Sequence, residues 1–148
     1  MFNSILLVCT ANICRSPIAE ALFRHHFPNK RISSAGTKVE ALNLIDAPAD
    51  KGSIQATKRN GIDISGHRAT QVTSELLENS DLILVMDETQ KECISTYSSG
   101  VRSKTLLIGQ WINIGEVADP FGKGDEAFNT CLHCLEQAVL SWKKRIPE

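Results

Sequence analysis

The chain has 148 residues, 42% of them hydrophobic and 22% charged, with a formal net charge of −1. That balance suits a single domain over 1–148 with its own core, and it offers no whole-molecule field for gathering nucleic acid or acidic lipid. The five cysteines are an odd number in a chain whose opening Met1-Phe2-Asn3-Ser4 lacks the basic region of a secretory signal. No run approaches the roughly 18 apolar residues of a membrane span, so the expectation is a cytoplasmic protein with reduced thiols and no membrane insertion.

Ser4 to Cys9 is apolar on both faces, the pattern of a central parallel strand covered by helices. Thr10 to Arg15 predicts a loop, with Ser16 as helix N-cap and Pro17 at the first helical position, where its missing N–H costs nothing. Ile18, Ala19, Leu22, Phe23 and Phe27 recur at helical spacing before Pro28 and Asn29 end that segment. Arg31 to Ser34 predicts a second strand, followed by a long polar loop. Residues 49–60 predict a helix closed by Gly61, and Thr73 to Asn79 a shorter one. A strand follows from Asp81 to Met86, then a helix from Asp87 to near Thr96, then a strand from Thr105 to Ile108. From Asp125 to Lys144 a last helix is predicted, with Phe128, Cys131, Leu132, Leu135, Val139 and Trp142 on one face. Strands alternating with helices imply a doubly wound α/β fold, in which ligands bind beyond the carboxyl ends of the strands.

Cys9 stands at such an end, just before a helix, in the segment Cys9-Thr10-Ala11-Asn12-Ile13-Cys14-Arg15-Ser16-Pro17. A short loop between strand and helix can curl its backbone N–H groups inward as a nest for three phosphate oxygens, and the helix N-terminus adds partial positive charge. Arg15 closes the ring with a planar fork able to hold two oxygens. Cysteines in such electropositive places ionise more readily than free thiols, and a thiolate beneath phosphorus is an in-line nucleophile. Five cysteines and seven arginines in this length produce an accidental Cys-x5-Arg in about one chain in four. The strand before it and the Ser-Pro helix start after it give the motif its weight. No glycine-rich nucleotide-binding motif is present.

Over its full length the chain resembles the low-molecular-weight protein-tyrosine phosphatases of the bacterial type. The resemblance rests on residues 9–17 and on four further stretches, 34–37, 66–69, 84–87 and 119–121. It implies three layers, α/β/α, around a four-stranded parallel sheet, with hydrolysis of phosphotyrosine through a phosphocysteine and without metal or other cofactor. On these positions it implies Cys9 as nucleophile, Arg15 as phosphate clamp and Ser16 as hydroxyl donor to the thiolate. Thr10, Ala11, Ile13 and Cys14 complete the loop. Asn12 would take a left-handed backbone conformation, braced by Ser34 and His67 through side-chain hydrogen bonds. Cys14 would form a reversible disulfide with Cys9 under oxidant, sparing the nucleophile from over-oxidation.

The resemblance further implies Asp119 as general acid, and the chemistry explains the need. A tyrosyl oxygen leaves poorly as a phenoxide, so a positioned carboxylic acid gains roughly 10²–10⁴ in rate. Ala11 stands where glycine is usual, and Phe121 where many members carry a tyrosine that can be phosphorylated. Glu40, Leu42 and Leu44 are expected at the pocket mouth with Phe121. The expected partner is a tyrosine-phosphorylated protein, in the Gram-negative type a tyrosine-rich tail of a membrane kinase controlling exopolysaccharide export.

The alternative is a thioredoxin-coupled arsenate reductase on the same fold. It requires two further relay cysteines after the third strand, and only Cys93 falls there, with no cysteine near Met86. The Cys131-Leu-His-Cys134 run resembles a redox or zinc motif. Its place on the apolar helix face favours a core role, and no second ligand pair exists.

Overall fold

Four strands, β1 (Ser4–Cys9), β2 (Arg31–Gly36), β3 (Leu82–Val85) and β4 (Thr105–Leu107), pair in the order β2-β1-β3-β4, all parallel. The computed structural model describes residues 2–147, so Met1 and Glu148 lie outside the described residues. β1 is buried along all six residues because its side chains alternate between two cores. Ile5, Leu7 and Cys9 enter one core, and Leu6 and Val8 the other.

Helices cover both faces. On the first lie α1 (Arg15–His26), α2 (Lys51–Arg59) and, far along the chain, α5 (Asp125–Lys143); α3 (Ser74–Glu78) and α4 (Glu88–Ser95) cover the second. The expected α/β/α sandwich is what forms. The predicted stripe Phe128, Cys131, Leu132, Leu135, Val139 and Trp142 is buried throughout. Burial of each large side chain contributes roughly 1.5–3 kcal/mol, so this stripe anchors α5. Trp142 Nε1–H donates to the carbonyl of Ile108 at 2.7 Å, which satisfies the one polar atom that the stripe takes inside.

The element ends differ from the sequence expectation at informative places. Ser16 is not the N-cap of α1: the helix begins at Arg15 with Cys14 at the cap position, and no side chain caps it. The Ser16 hydroxyl is instead held inside the first turn by Asn12 and Cys9. β2 runs two residues past Ser34 to Gly36, because Gly36 continues the pairing opposite Cys9. Asp50 caps α2 by accepting from Gly52 N–H at 2.9 Å, and Gly61 past its end takes φ 77°, where a Cβ would be strained.

The start of α4 is a reciprocal capping box. The Asp87 carboxylate accepts from Gln90 N–H at 3.0 Å, and Gln90 Oε1 accepts from Asp87 N–H at 3.2 Å and Met86 N–H at 2.8 Å. Two short 3-10 turns, Arg102–Lys104 and Gln110–Ile112, flank β4 and have no counterpart in the sequence expectation. They are too short to leave a periodicity. Among the described residues no helix is long and apolar enough to cross a membrane.

Candidate active site

Residues 9–15 curl beyond the carboxyl end of β1, and the direction of the curl follows from where their carbonyls go. Cys9 O accepts from Thr37 N–H at 3.0 Å, Thr10 O from Lys38 N–H at 2.9 Å and Ile13 O from Asp50 N–H at 2.8 Å. Cys14 O takes the Ser53 hydroxyl at 3.0 Å, and Asn12 O is 2.6 Å from His67 Nε2. Every one of these donors lies outside the loop. In a planar trans peptide the C=O and the following N–H point opposite ways. Carbonyls drawn outward at 9, 10, 12, 13 and 14 therefore turn the N–H groups of Thr10, Ala11, Ile13, Cys14 and Arg15 inward, making the concave nest that binds anions.

Asn12 holds the turn. It stands at φ 57°, a left-handed conformation that Asn tolerates better than most residues. Its side chain is fully used: Nδ2 donates to Ser16 Oγ at 2.7 Å and to Ser34 Oγ at 2.9 Å, and Oδ1 accepts from Thr70 N–H at 2.9 Å. Ser34 in turn donates to Glu20, which Arg24 pairs at 2.7 Å on the helix surface. His67 reaches the Asn12 backbone carbonyl rather than its side chain. Ala11 has no positive φ, so the loop makes no demand there that only glycine meets. Gly36 does face one, because a Cβ on it would sit 2.5 Å from Thr10 O and 2.9 Å from Asn12 N.

Cys9 Sγ lies at the bottom of the nest, 2% exposed. It accepts from Asn12 N–H at 3.2 Å and is 2.9 Å from Ser16 Oγ. Ser16 Oγ already accepts from Asn12, so its own proton is free for the sulfur. Two donors thus converge on the sulfur from the loop and from the first turn of α1.

Arg15 is 4% exposed, and its guanidinium is fixed from behind. Nη1 donates to the carbonyl of Val117 at 3.0 Å and to Asp87 Oδ2 at 3.2 Å, while Nη2 is 3.5 Å from Thr10 Oγ1. The edge carrying Nη2 and Nε stays available to an incoming oxyanion. Val117 is itself tied by its N–H to Met86 O at 2.9 Å, so the segment leading to Asp119 is anchored on the end of β3.

Above the loop opens a cavity of about 290 Å³. Cys9, Thr10, Ala11, Ile13, Cys14 and Arg15 line it from the loop, Leu42, Leu44 and Phe121 add apolar surface, and Asp119 also lines it. Asp119 Oδ1 accepts from Phe121 N–H at 3.1 Å, which orients the carboxylate and shapes the turn. Glu40 does not line the cavity. Its N–H is taken by the Gln71 side chain at 2.8 Å, on the exposed flank of the same loop. Ser16, Ser34 and His67 lie beneath and beside the nest, and reach the cavity only through Cys9 and Asn12.

Burial, with Asp50 and Asp119 nearby, pushes the Cys14 thiol well up, so it sits as a neutral thiol beside the nest. Burial pushes Cys131, packed under the loop, up to about 12. Cys93 lies on α4, and Met86, where a relay partner would stand, is fully buried in the core.

Asp87, Gln90, Glu20, Thr70 and Gly36 have functional contacts that the sequence reading did not assign. Asp87 follows a strand end, the place where topology puts ligand-side residues, so a signal for it existed. The others carry none, because each acts through a contact far away in sequence.

A family model described as low molecular weight phosphotyrosine protein phosphatase matches residues 4–148. The low-molecular-weight protein-tyrosine-phosphatase Etp of Escherichia coli K12 is 39% identical over 145 residues, covering 98% of this chain and 95% of Etp. Vibrio vulnificus Wzb in complex with benzylphosphonate superposes with a TM-score of 0.95 at 38% identity, covering 99% of this chain and 100% of that one. The tyrosine phosphatase Wzb of Escherichia coli K30 with sulphate gives 0.92 at 42% identity, covering 99% and 100%.

Proposed function

The chain belongs to the low-molecular-weight phosphotyrosine protein phosphatase family, and from that premise we propose how its own residues hydrolyse phosphotyrosine. The observation that carries the reading is one cavity lined together by Cys9, the loop with its inward N–H groups, Arg15 and Asp119.

The phosphoryl oxygens sit in the nest, held by backbone N–H groups and the free edge of Arg15. The Cys9 thiolate attacks phosphorus, so an S–P bond forms as the P–O bond to the tyrosyl oxygen breaks. Asp119, protonated, gives its proton to that departing oxygen, and tyrosine leaves as the neutral phenol. Water then attacks the phosphocysteine while the Asp119 carboxylate takes its proton. The S–P bond breaks, inorganic phosphate leaves and the Cys9 thiolate returns. Ser16 stabilises the sulfur's negative charge at the start and end of the cycle. Leu42, Leu44 and Phe121 receive the aromatic ring.

The experiment is hydrolysis of phosphotyrosine peptides, with phosphoserine controls and a metal chelator present. Turnover restricted to phosphotyrosine, abolished in Cys9→Ser while phosphate still binds, is expected. Full turnover in that variant refutes the mechanism. The substrate we propose is a phosphorylated tyrosine-rich tail of a membrane kinase that controls exopolysaccharide export, supported by the resemblance to the Gram-negative members. A kinase whose phosphorylation stays unchanged on incubation with the enzyme counts against it. Under oxidant, Cys14 is proposed to pair with Cys9 reversibly, shielding the nucleophile.

A further inference from the structure

Gln90 lies on α4, outside the cavity, yet it is 1% exposed and every polar atom of its amide is engaged. Two backbone donors, Met86 N–H and Asp87 N–H, converge on Oε1. That convergence fixes which way round the amide sits, since the reverse orientation would set N–H against N–H. Nε2 must then point the other way, where it donates to Thr10 Oγ1 at 3.1 Å, across 80 positions of sequence.

Thr10 Oγ1 also lies 3.5 Å from Arg15 Nη2. One hydroxyl therefore stands between the Gln90 amide and the edge of the guanidinium that faces the cavity. Nη1 is already engaged by Val117 O and Asp87 Oδ2, which hold the other side of the fork. Asp87 and Gln90 are the two partners of one capping box. The N-terminus of α4 thus grips the guanidinium at two points, directly through Asp87 and through Thr10 by way of Gln90.

We propose that Gln90 is a positioning residue for phosphate recognition, setting through the Thr10 hydroxyl the plane of the Arg15 edge that receives the phosphoryl oxygens. The inference rests on the phosphatase reading of the same site. Gln90 touches no substrate atom; its effect passes through Thr10. A capping role alone would make Gln90 a matter of stability, whereas the proposed role makes it a matter of anion affinity.

Gln90→Glu separates the two. Glutamate at this helix position still accepts from Met86 and Asp87 N–H, so the capping box is kept, but an ionised carboxylate can only accept from the Thr10 hydroxyl, which reverses the link and turns that hydroxyl relative to the Arg15 edge. Thr10→Val removes the acceptor at nearly constant shape, and Thr10→Ser restores it. The readout is the dissociation constant of inorganic phosphate by isothermal titration calorimetry, with kcat/KM on a phosphotyrosine peptide alongside and a thermal melt to confirm folding.

Gln90→Glu, which reverses the bond to Thr10, and Thr10→Val, which removes it, are each expected to weaken phosphate binding about three- to tenfold, the size of one hydrogen bond, with Thr10→Ser restoring most of the affinity lost in Thr10→Val. In the Thr10→Val background, Gln90→Glu is expected to add much less than it does alone. An equal loss in both backgrounds means the new charge acts through space and overturns the proposal, as does wild-type affinity in Thr10→Val. A wild-type protein that neither binds phosphate nor hydrolyses the peptide overturns the phosphatase reading, and this inference with it. That outcome is told apart from the others because the wild type itself is silent.

Discussion

Replacing Ser16 by alanine tests the charge chemistry at Cys9 without touching the nucleophile, the clamp or the acid. The hydroxyl sits 2.9 Å from Cys9 Sγ and receives Asn12 Nδ2–H at 2.7 Å. Removing it takes one donor from the sulfur and leaves Asn12 N–H as the neighbour still bonded to it. A hydrogen bond to a charged group contributes about 1.5–3 kcal/mol. If that contribution is felt on the path to the S–P bond, kcat/KM falls roughly 10- to 150-fold. A second cost falls on the fold, because the buried Asn12 amide loses one of its acceptors, and about 1–3 kcal/mol of stability goes with it. The assays are steady-state kinetics on a phosphotyrosine peptide, the rate of iodoacetate alkylation at Cys9 and a thermal melt. Slower alkylation together with slower turnover is expected. A variant that alkylates and turns over like wild type, yet melts earlier, would show that Ser16 merely holds the loop and would refute the reasoning.

Asp119→Asn should slow tyrosyl esters by roughly 10²–10⁴, and esters with acidic leaving groups far less, because only the former need a proton on departure; equal losses on both series remove Asp119 from the acid role. Gly36→Ala should cost about 1–3 kcal/mol of stability in a denaturant titration and weaken phosphate binding, since its Cβ would press on the backbone of Thr10 and Asn12. Unaltered phosphate affinity would show that the loop does not feel the end of β2. Cys131 keeps its proton in the folded state up to about 12, from a usual 9.0, so between these values the unfolded chain binds fewer protons than the folded one. Stability is therefore intact below pH 9 and declines as pH rises through that window, by up to about 1.4 kcal/mol per pH unit from this one thiol. Cys131→Val should flatten the decline in urea titrations, and an unchanged slope would refute the assignment.

The layers of the fold were readable because hydrophobic period carries them: two-sided apolar runs at β1 and β3, and one long stripe on α5. The segment 9–17 was readable because its chemistry is local, with nucleophile, loop and arginine within one turn of chain. What escaped was whatever completes a contact across a long separation. Ser16 looks like a helix cap by residue type, and only the family resemblance, not its place before Pro17, implied that its hydroxyl turns to the sulfur. Glu40 looks like a rim residue by its loop, yet it is not among the residues that line the cavity. Gln90 and Glu20 are common helix residues whose roles exist only once β3, β2 and the loop meet. Asp119 and the brace on Asn12 came from family resemblance, not from spacing.

The saturated side chain of Asn12 has a consequence for the order in which the molecule can assemble. Its partners come from α1, from β2 and from Thr70, so the bowl cannot close on locally available contacts alone. The chain must first lay β2 beside β1 and bring the segment around His67 and Thr70 over the loop. Closure of the phosphate nest is thus expected late in folding, although the nucleophile Cys9 and the clamp Arg15 lie among the first sixteen residues of the chain. In gradual denaturation it is correspondingly expected to be an early loss, with phosphate binding, followed by calorimetry, disappearing before the helical circular dichroism signal.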